Sequence, residues 1–526
     1  MPNIQTENLI QLIGSLSKAE KRAFKLYVGR FQSSDNAKFL QIFDFIDKTR
    51  NYSDSALLKK YQDIKKSQLS NLKAHLYKQL LVSLRLQHAG SSTDIDIRES
   101  IDYARVLYNR GLYNQSLRIL ERAKSTAKKY NLDILSLDIT FFEKKIESQY
   151  ITRSIDSRAE ELALESNQLI DKISESNEYS NLTLKLYGLY LKVGFVKNEK
   201  EYLFVKQYFD SNFPDFGDTE LDYYEKMHLY NAYYWYYYIV QDFLNCYKYA
   251  KKWVDLYEEY PEMKEYEFEI YLKGINNILG ALFNLRHYEK FVVYLDILKD
   301  LLKDPVKRNE NTEYQLRLYY YTNLINKHFL EGTFSDGLRN IPEIEEFLEE
   351  YETTMDYHRS INLNYKIACL FFGAGDNRNT IIYLNKIINV KESSLREDIQ
   401  CFARILNLIA HYEVGNEELV EYQIKSVYRF LSKMDDLQGV QEEILSWVRN
   451  LRTMRPEELD KSFKILRSKL VKLSQMQYEK RPFLYLDIIS WLESKIIGTQ
   501  VQSVVQEKFK REQLLGESLY FPVKKS

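Results

Sequence analysis

The chain has 526 residues and a formal net charge of −1, with only 17 glycines and 8 prolines. Both counts are well below the usual share, so the chain is poor in the residues that break helices and make tight hairpins, and the composition argues for mostly helix. An aromatic content of 14%, with 44 tyrosines and 27 phenylalanines, excludes a disordered chain although 28% of the residues are charged.

The charge is uneven. Residues 1–90 hold fifteen Lys/Arg against seven Asp/Glu, a balance of +8, and the remaining 436 hold 59 against 68, a balance of −9. The opening MPNIQTENLIQLIGSLSKAEK has no positive stretch ahead of a short, interrupted apolar one, which does not read as a signal peptide. The longest apolar run, Ala232 to Val240, is nine residues, against roughly 20 for a bilayer span. The expectation is a soluble, cytoplasmic protein with no membrane association. Cys246, Cys369 and Cys401 have no metal-site spacing and read as buried, reduced thiols.

Residues 1–90 are expected to form a basic N-terminal helical domain or cap. Ser17-Lys-Ala-Glu20 is a capping-box pattern. The helix EKRAFKLYVGRF then places Phe24, Tyr27, Val28 and Phe31 on one face, with Lys21, Arg22, Lys25 and Arg30 largely off it. FLQIFDFIDKT repeats the pattern with Phe39, Ile42, Phe43 and Ile46. Ser53-Asp54 opens a third helix, and LSNLKAHLYKQLLVSLRLQ makes a long fourth. Ala89-Gly-Ser-Ser-Thr-Asp94 has the composition of a domain joint.

Residues 95–435 repeat themselves. ARVLYNRGLYNQSLRILERAKSTAKKY, from Ala104, is a helix, a turn at Asn109-Arg110-Gly111 and a second helix. The same order returns with turns at Gln241-Asp242, Arg286-His287, Gly332, Gly375-Asp376 and Gly415-Asn416. Equivalent positions early in each second helix are Cys246, Phe291, Gly337, Thr380 and Val420, in steps of 45, 46, 43 and 40. Ser116 lies 130 residues before Cys246, which leaves room for two weaker units around IDSRAEELALESNQLI and GFVKNEKEYLFVKQYF. Pro214, Pro261 and Pro305 follow second helices, where a helix must stop. Period, turns and breakers predict an all-α solenoid of stacked antiparallel helical hairpins, because one such hairpin cannot bury its own apolar faces.

The stretch from Ala104 to Ala123, with Leu107, Gly111 and Tyr113 between, resembles the tetratricopeptide repeat. The other units look like lengthened relatives of it: Cys246, Gly337 and Thr380 stand where that family prefers a small residue, while Phe291 and Val420 do not. The period of 40 to 46 exceeds the family's 34. Over its whole length, including SLSKAEKRAFKLY and GLYNQSLRILERAK, the chain is also similar to long helical-repeat proteins of the Bacteroidota. The resemblance implies a tetratricopeptide-like architecture and supplies no activity. Residues 436–526 are expected to be a helical cap and tail. PEELDKSFKILRSKLVKL and FLYLDIISWLESKII read as amphipathic helices with Pro456 and Pro482 near their starts, and GESLYFPVKKS as a loose end.

No motif for chemistry survives. Gly373-Ala-Gly375 follows a helix and lacks a third glycine. Asp94-Ile-Asp96 has no calcium loop after it and reads as a helix start. The seven histidines form no HxxxH or HExxH pair, and EFLEEYE at 346–352 reads as a solvated face. The expectation is a non-enzymatic protein without cofactor or metal. Two functions stay open. One is a scaffold that binds a peptide or protein segment on the concave face of the array. Its candidate contacts are Tyr230, Tyr233, Tyr234, Tyr237 and Tyr238, a stripe in the aromatic run NAYYWYYYIV whose first role is core packing. The other is a regulator whose basic head meets nucleic acid through Lys65, Lys66, Lys73 and Lys78, the array serving to sense or dimerise.

Overall fold

The computed structural model describes residues 4–30, 34–49, 52–88, 90, 92–149, 155–215, 220–304, 308–352, 354–389, 397–416, 423–425, 427–430, 439–451, 456–476, 478–479, 483 and 487–515. All regular structure among them is helical. Phe31, Pro305, Val420, Pro482 and the tail 516–526 lie outside the described residues. The chain divides into two compact units, Met1–Ile170 and Asp171–Ser526.

The first unit opens with helices Ile4–Ser15, Lys18–Gly29, Ser34–Lys48, Asp54–Lys60 and Lys66–His88. Glu20 N–H donates to Ser17 Oγ at 3.3 Å and Ser17 N–H donates to Glu20 Oε2 at 2.8 Å, so the predicted capping box closes both orphan donors. The long helix Lys66–His88 lies against the first three helices. Phe24, Phe39, Ile42, Phe43, Leu76 and Leu80 meet in a core of their own. Helices Thr93–Asn109, Tyr113–Lys129 and Asp133–Gln149 follow with a second core around Ala104, Leu120 and Ile139.

The second unit pairs helix Tyr223–Ile239 with Phe243–Glu259, Phe268–Leu285 with Tyr288–Lys303, and Tyr357–Gly373 with Asn377–Ile388. Between the last two pairs, Glu310–Glu331 is followed by a broken second helix, Phe334–Gly337 and Ile341–Glu350 joined by a 3-10 turn. Every predicted turn carries one left-handed residue: Gly111, Gln241, Arg286, Gly332, Gly375 and Gly415, at φ 55–84°. Each is closed by the same hydrogen bond five residues back, from the N–H of Leu112, Asp242, His287, Thr333, Asp376 and Asn416 to the carbonyl of Leu107, Tyr237, Leu282, His328, Phe371 and His411. The short polar residue at the fourth position of a second helix has a structural use. Ser116 Oγ, Cys246 Sγ and Thr380 Oγ1 donate to the carbonyls of Ala104, Tyr234 and Ala368, each twelve residues earlier, at 2.8, 3.8 and 3.5 Å. A small group there lets the two helices of a hairpin approach.

Gly373-Ala-Gly375 is explained by packing. A Cβ on Gly373 would stand 2.5 Å from Cγ of the buried Phe334 ring, whereas Gly375 has φ 84° and nothing within 4 Å. Gly373→Ala is therefore expected to destabilise the second unit by about 1–3 kcal/mol through overpacking. Gly375→Ala should cost about 1–2 kcal/mol through backbone strain alone. Urea unfolding of both variants checks this, and a Gly373→Ala protein as stable as the parent would refute the packing account.

Two expectations need correction. The two weaker units are not separate hairpins: residues 155–193 form one uninterrupted helix, Ile155–Val193, before Glu199–Asn212. It has no proline, and Gly188 is its sole glycine, so nothing local forces a break where the period suggests one. The C-terminal helices also do more than close the array's end. Pro456–Ser474 packs on Ile488–Ile497, and the last helix, Val501–Leu515, folds back onto Glu310–Glu331. Arg286 pairs with Glu512 at 3.0 Å, Ser335 N–H donates to Gln502 Oε1 at 2.8 Å, and the Phe509 and Tyr288 ring centroids lie 4.8 Å apart. This helix thus covers the turns at Arg286 and Gly332. A Cβ on Gly332 would lie 2.7 Å from Gln506 N.

Candidate partner-binding site

The fourth residue of each second helix in the second unit is Tyr202, Cys246, Phe291, Gly337 or Thr380. Eighteen positions earlier stand Leu184, His228, Lys273, Tyr319 and Asn362, one per first helix. The first helices touch along this line. Thr183 Oγ1 donates to His228 O at 3.0 Å, and the Tyr187 and Trp235 rings lie 5.0 Å apart. Asn323 Nδ2 donates to Asn276 Oδ1 at 2.9 Å, Asn326 Nδ2 to Asn323 Oδ1 at 3.0 Å, and Lys366 Nζ to Asn326 Oδ1 at 2.6 Å. The Lys366 ammonium lies 5.4 Å from the Phe283 ring and 5.7 Å from Phe329. It therefore reaches past one first helix to the next but one. We call this side of the row of first helices the inner face.

Its two parts differ in chemistry. At the start Leu184 is 68% exposed, Tyr187 39% and Leu191 44%, an open apolar stripe at i, i+3, i+7 beside Trp235. Further along, Lys273 is half-buried and makes no ion pair or hydrogen bond among the described residues; its ammonium lies 5.8 Å from the Trp253 ring. Burial first, and then the charge of Arg359, hold the Lys273 ammonium below its ordinary pKa. Burial, with Lys273 adding to it, pushes His228 down to about 4, so this imidazole is neutral at pH 7. Arg359 pairs with Asp356 at 3.1 Å.

The tyrosines expected to line the groove lie mainly elsewhere. Tyr233 stacks on Tyr249 at 4.4 Å, with Tyr237 at 5.6 Å and Tyr230 at 6.3 Å from the same ring. Tyr233 also meets Phe209 of the preceding hairpin at 5.4 Å. Tyr238 packs on Tyr190 and Phe195, and Tyr234 is only 4% exposed. Tyr230, Tyr233 and Tyr237 thus gather on the second helix of their own hairpin, Tyr233 and Tyr238 also meet the preceding elements, and Tyr234 is closed to any partner. Trp235, on the opposite side of the helix, is the aromatic that reaches the inner face. Sequence reading missed it, together with Leu184, Tyr187, Leu191 and Lys273. The signal was present in the eighteen-residue offset from the period marker.

In the head, Lys65, Lys66 and Lys78 are exposed, but Lys73 is not available to a phosphate. It is 5% exposed, and its ammonium donates to Thr6 Oγ1 at 3.0 Å and to Asp54 Oδ1 at 2.5 Å. Lys21 pairs with Asp47 at 2.7 Å and Lys25 with Asp44 at 2.6 Å. Three head cations are thus engaged by the head's own carboxylates.

A third charged cluster ties helices of the first unit together. The Lys124 ammonium donates to Glu143 and, at 2.7 Å, to Glu165; Lys128 pairs with Glu165 at 2.6 Å and Arg158 with Glu143 at 3.2 Å. Three cations meet acids nearly one for one, a structural clamp rather than a site. Burial pushes the Glu165 carboxyl up, but its bonds from Lys124 and Lys128 outweigh this and hold it below the usual range. A carboxylate depressed in the folded state stabilises above its unfolded pKa of about 4.3, and that stabilisation is lost as pH falls through the folded value. The urea midpoint of the parent is therefore expected to drop between pH 6 and 3 more steeply than that of Glu165→Gln. Equal slopes would refute the clamp.

Among the described residues no cluster of His, Cys, Asp or Glu could hold a metal ion. Burial pushes the Cys369 thiol up to about 12, and Cys246 is buried, with its Sγ donating to the Tyr234 carbonyl. No family model matches the chain, and no curated protein or solved structure matches it either. The fold and this face define its class: an all-α protein of stacked antiparallel helical hairpins. No helix among the described residues is long and apolar enough to cross a membrane.

Proposed function

We propose that the chain is a non-enzymatic scaffold, tetratricopeptide-like in kind, that holds a peptide or protein segment on the inner face of the second unit. One observation carries this reading: Leu184, Tyr187 and Leu191 leave an apolar stripe open on the same row of first helices that bears Lys273, which has no ion pair or hydrogen bond among the described residues. Rigid helical surfaces of this kind bind through a few apolar or aromatic anchors with polar groups around them. Three free cysteines fit a reducing, cytoplasmic setting. The reading needs no cofactor. Nucleic-acid binding by the head has weaker support, because Lys21, Lys25 and Lys73 are paired within it.

The test is affinity purification of the tagged full chain from its native cells, with partners identified by mass spectrometry. A partner should be lost from Tyr187→Ala/Trp235→Ala and kept by Leu244→Ala/Val293→Ala on the second helices. Loss from the second pair with retention by the first would overturn the reading. A salt-sensitive shift of duplex DNA by the full chain would favour the head instead.

A further inference from the structure

We propose that the segment held on the inner face is an acidic peptide: an apolar side chain seats on Leu184, Tyr187 and Leu191, and a carboxylate further along pairs with Lys273 and Arg359. This rests on the scaffold reading and names the chemistry of its ligand.

Charge accounting along the row supplies the argument. Helix Tyr223–Ile239 carries one carboxylate, Glu225, which accepts from Asp222 N–H at 2.5 Å. Helix Phe268–Leu285 also carries one, Glu269, which accepts from Asn309 at 3.0 Å and from Thr312. Glu310–Glu331 has its three acids at its two ends, and Tyr357–Gly373 has none. Outside residues 1–90 the chain is acidic by nine charges, yet the four first helices from Tyr223 to Gly373 hold few acids and keep them at their ends. A half-buried ammonium without a counter-ion carries a desolvation cost that an internal partner ordinarily offsets. Among the described residues no such partner faces Lys273. The Asp356 carboxylate that faces Arg359 belongs to the cap of that helix, and Asp356 also accepts from Arg359 N–H at 2.9 Å. The lowered pKa of Lys273 agrees with this geometry: among the described residues no carboxylate offsets its burial. An incoming carboxylate would restore it toward the ordinary lysine value.

The spacing follows from helix packing. Leu184 and Lys273 stand on first helices two hairpins apart, and packed helices lie about 8–10 Å from axis to axis. The separation of roughly 20 Å corresponds to about six residues of extended peptide. The ligand should thus carry Leu, Phe or Tyr about six residues from Asp or Glu.

The probe is a random dodecapeptide display library selected on the immobilised full chain. Selected peptides should pair an apolar residue with an acidic one at about that spacing. A synthetic peptide of the selected sequence should bind Lys273→Gln at least about tenfold more weakly. Arg359→Gln should act in the same direction, and Lys273→Glu should move the selection toward Lys and Arg. Circular dichroism establishes that each variant folds, and Arg359→Gln serves where a Lys273 variant does not. Peptides without acidic enrichment, bound equally by parent and Lys273→Gln but lost from Tyr187→Ala, would overturn the acidic ligand and leave the scaffold standing. Selection of no peptide would overturn both.

Discussion

Replacing Trp253 with alanine is expected to cost about 3–5 kcal/mol, the range for deleting a fully buried large aromatic. Trp253 is 0% exposed and lies on the second helix Phe243–Glu259, where that helix meets Phe268–Leu285. The facing residue is Gly274: a Cβ there would stand 2.9 Å from Val254 and 3.7 Å from the Trp253 ring. The indole and the missing side chain are therefore matched in shape, and two hairpins are joined through them. An alanine at 253 leaves a void that rigid helices on both sides cannot close. The expected result is a large fall in the urea midpoint of the second unit, followed by far-ultraviolet circular dichroism. Trp253→Phe should recover part of it. A loss below about 1 kcal/mol would mean that the hairpin junction does not depend on this contact.

The second large effect is expected at the other end of the chain. Trp491 is 1% exposed, its ring meets Trp447 at 5.7 Å and Phe463 at 5.9 Å, and its Nε1 donates to Glu413 Oε1 at 2.7 Å. Glu413 also pairs with Lys495 at 2.5 Å. Trp491→Ala removes the ring and one of two donors to that carboxylate, and should cost about 3–5 kcal/mol. Because helix Ile488–Ile497 precedes the returning helix Val501–Leu515, its loss should also loosen the contacts at Arg286 and Gly332. Hydrogen exchange should rise at residues 501–515 before it rises at 268–285. Simultaneous exchange of both segments would contradict the idea that the last helix is a separately docked element.

What the sequence disclosed depended on how local the cause was. The turns were legible because each needs one left-handed residue, and Gly111, Gly332, Gly375 and Gly415 supply it directly. Gln241 and Arg286 supply it without a glycine, and were found through the hairpin pattern around them. The capping box at Ser17 and Glu20 is equally local. The uninterrupted helix Ile155–Val193 was not legible, since a period suggested a break that no residue enforces. The return of Val501–Leu515 was hidden for a different reason: its partners are Arg286, Tyr288 and Ser335, more than 160 residues away. At the candidate site, aromatic identity pointed to the tyrosine stripe, whereas helix phase decides which side faces the inner row. Phase selects Trp235, whereas Tyr233 and Tyr237 pack on Tyr249 of their own hairpin and Tyr234 is buried. Composition alone could not distinguish Lys73, held by Asp54, from its exposed neighbours Lys65, Lys66 and Lys78.

The central claim, that the inner row of first helices is where a partner lies, is tested most directly by a photo-crosslinking amino acid placed at single positions of the full chain in its native cells. Positions 187, 191 and 273 sample the inner row; positions 244 and 293, where Leu244 is 65% and Val293 60% exposed, sample the second helices. The account predicts one common adduct from the three inner positions and none from the outer two. Adducts from 244 and 293, with none from 187, 191 or 273, would contradict it.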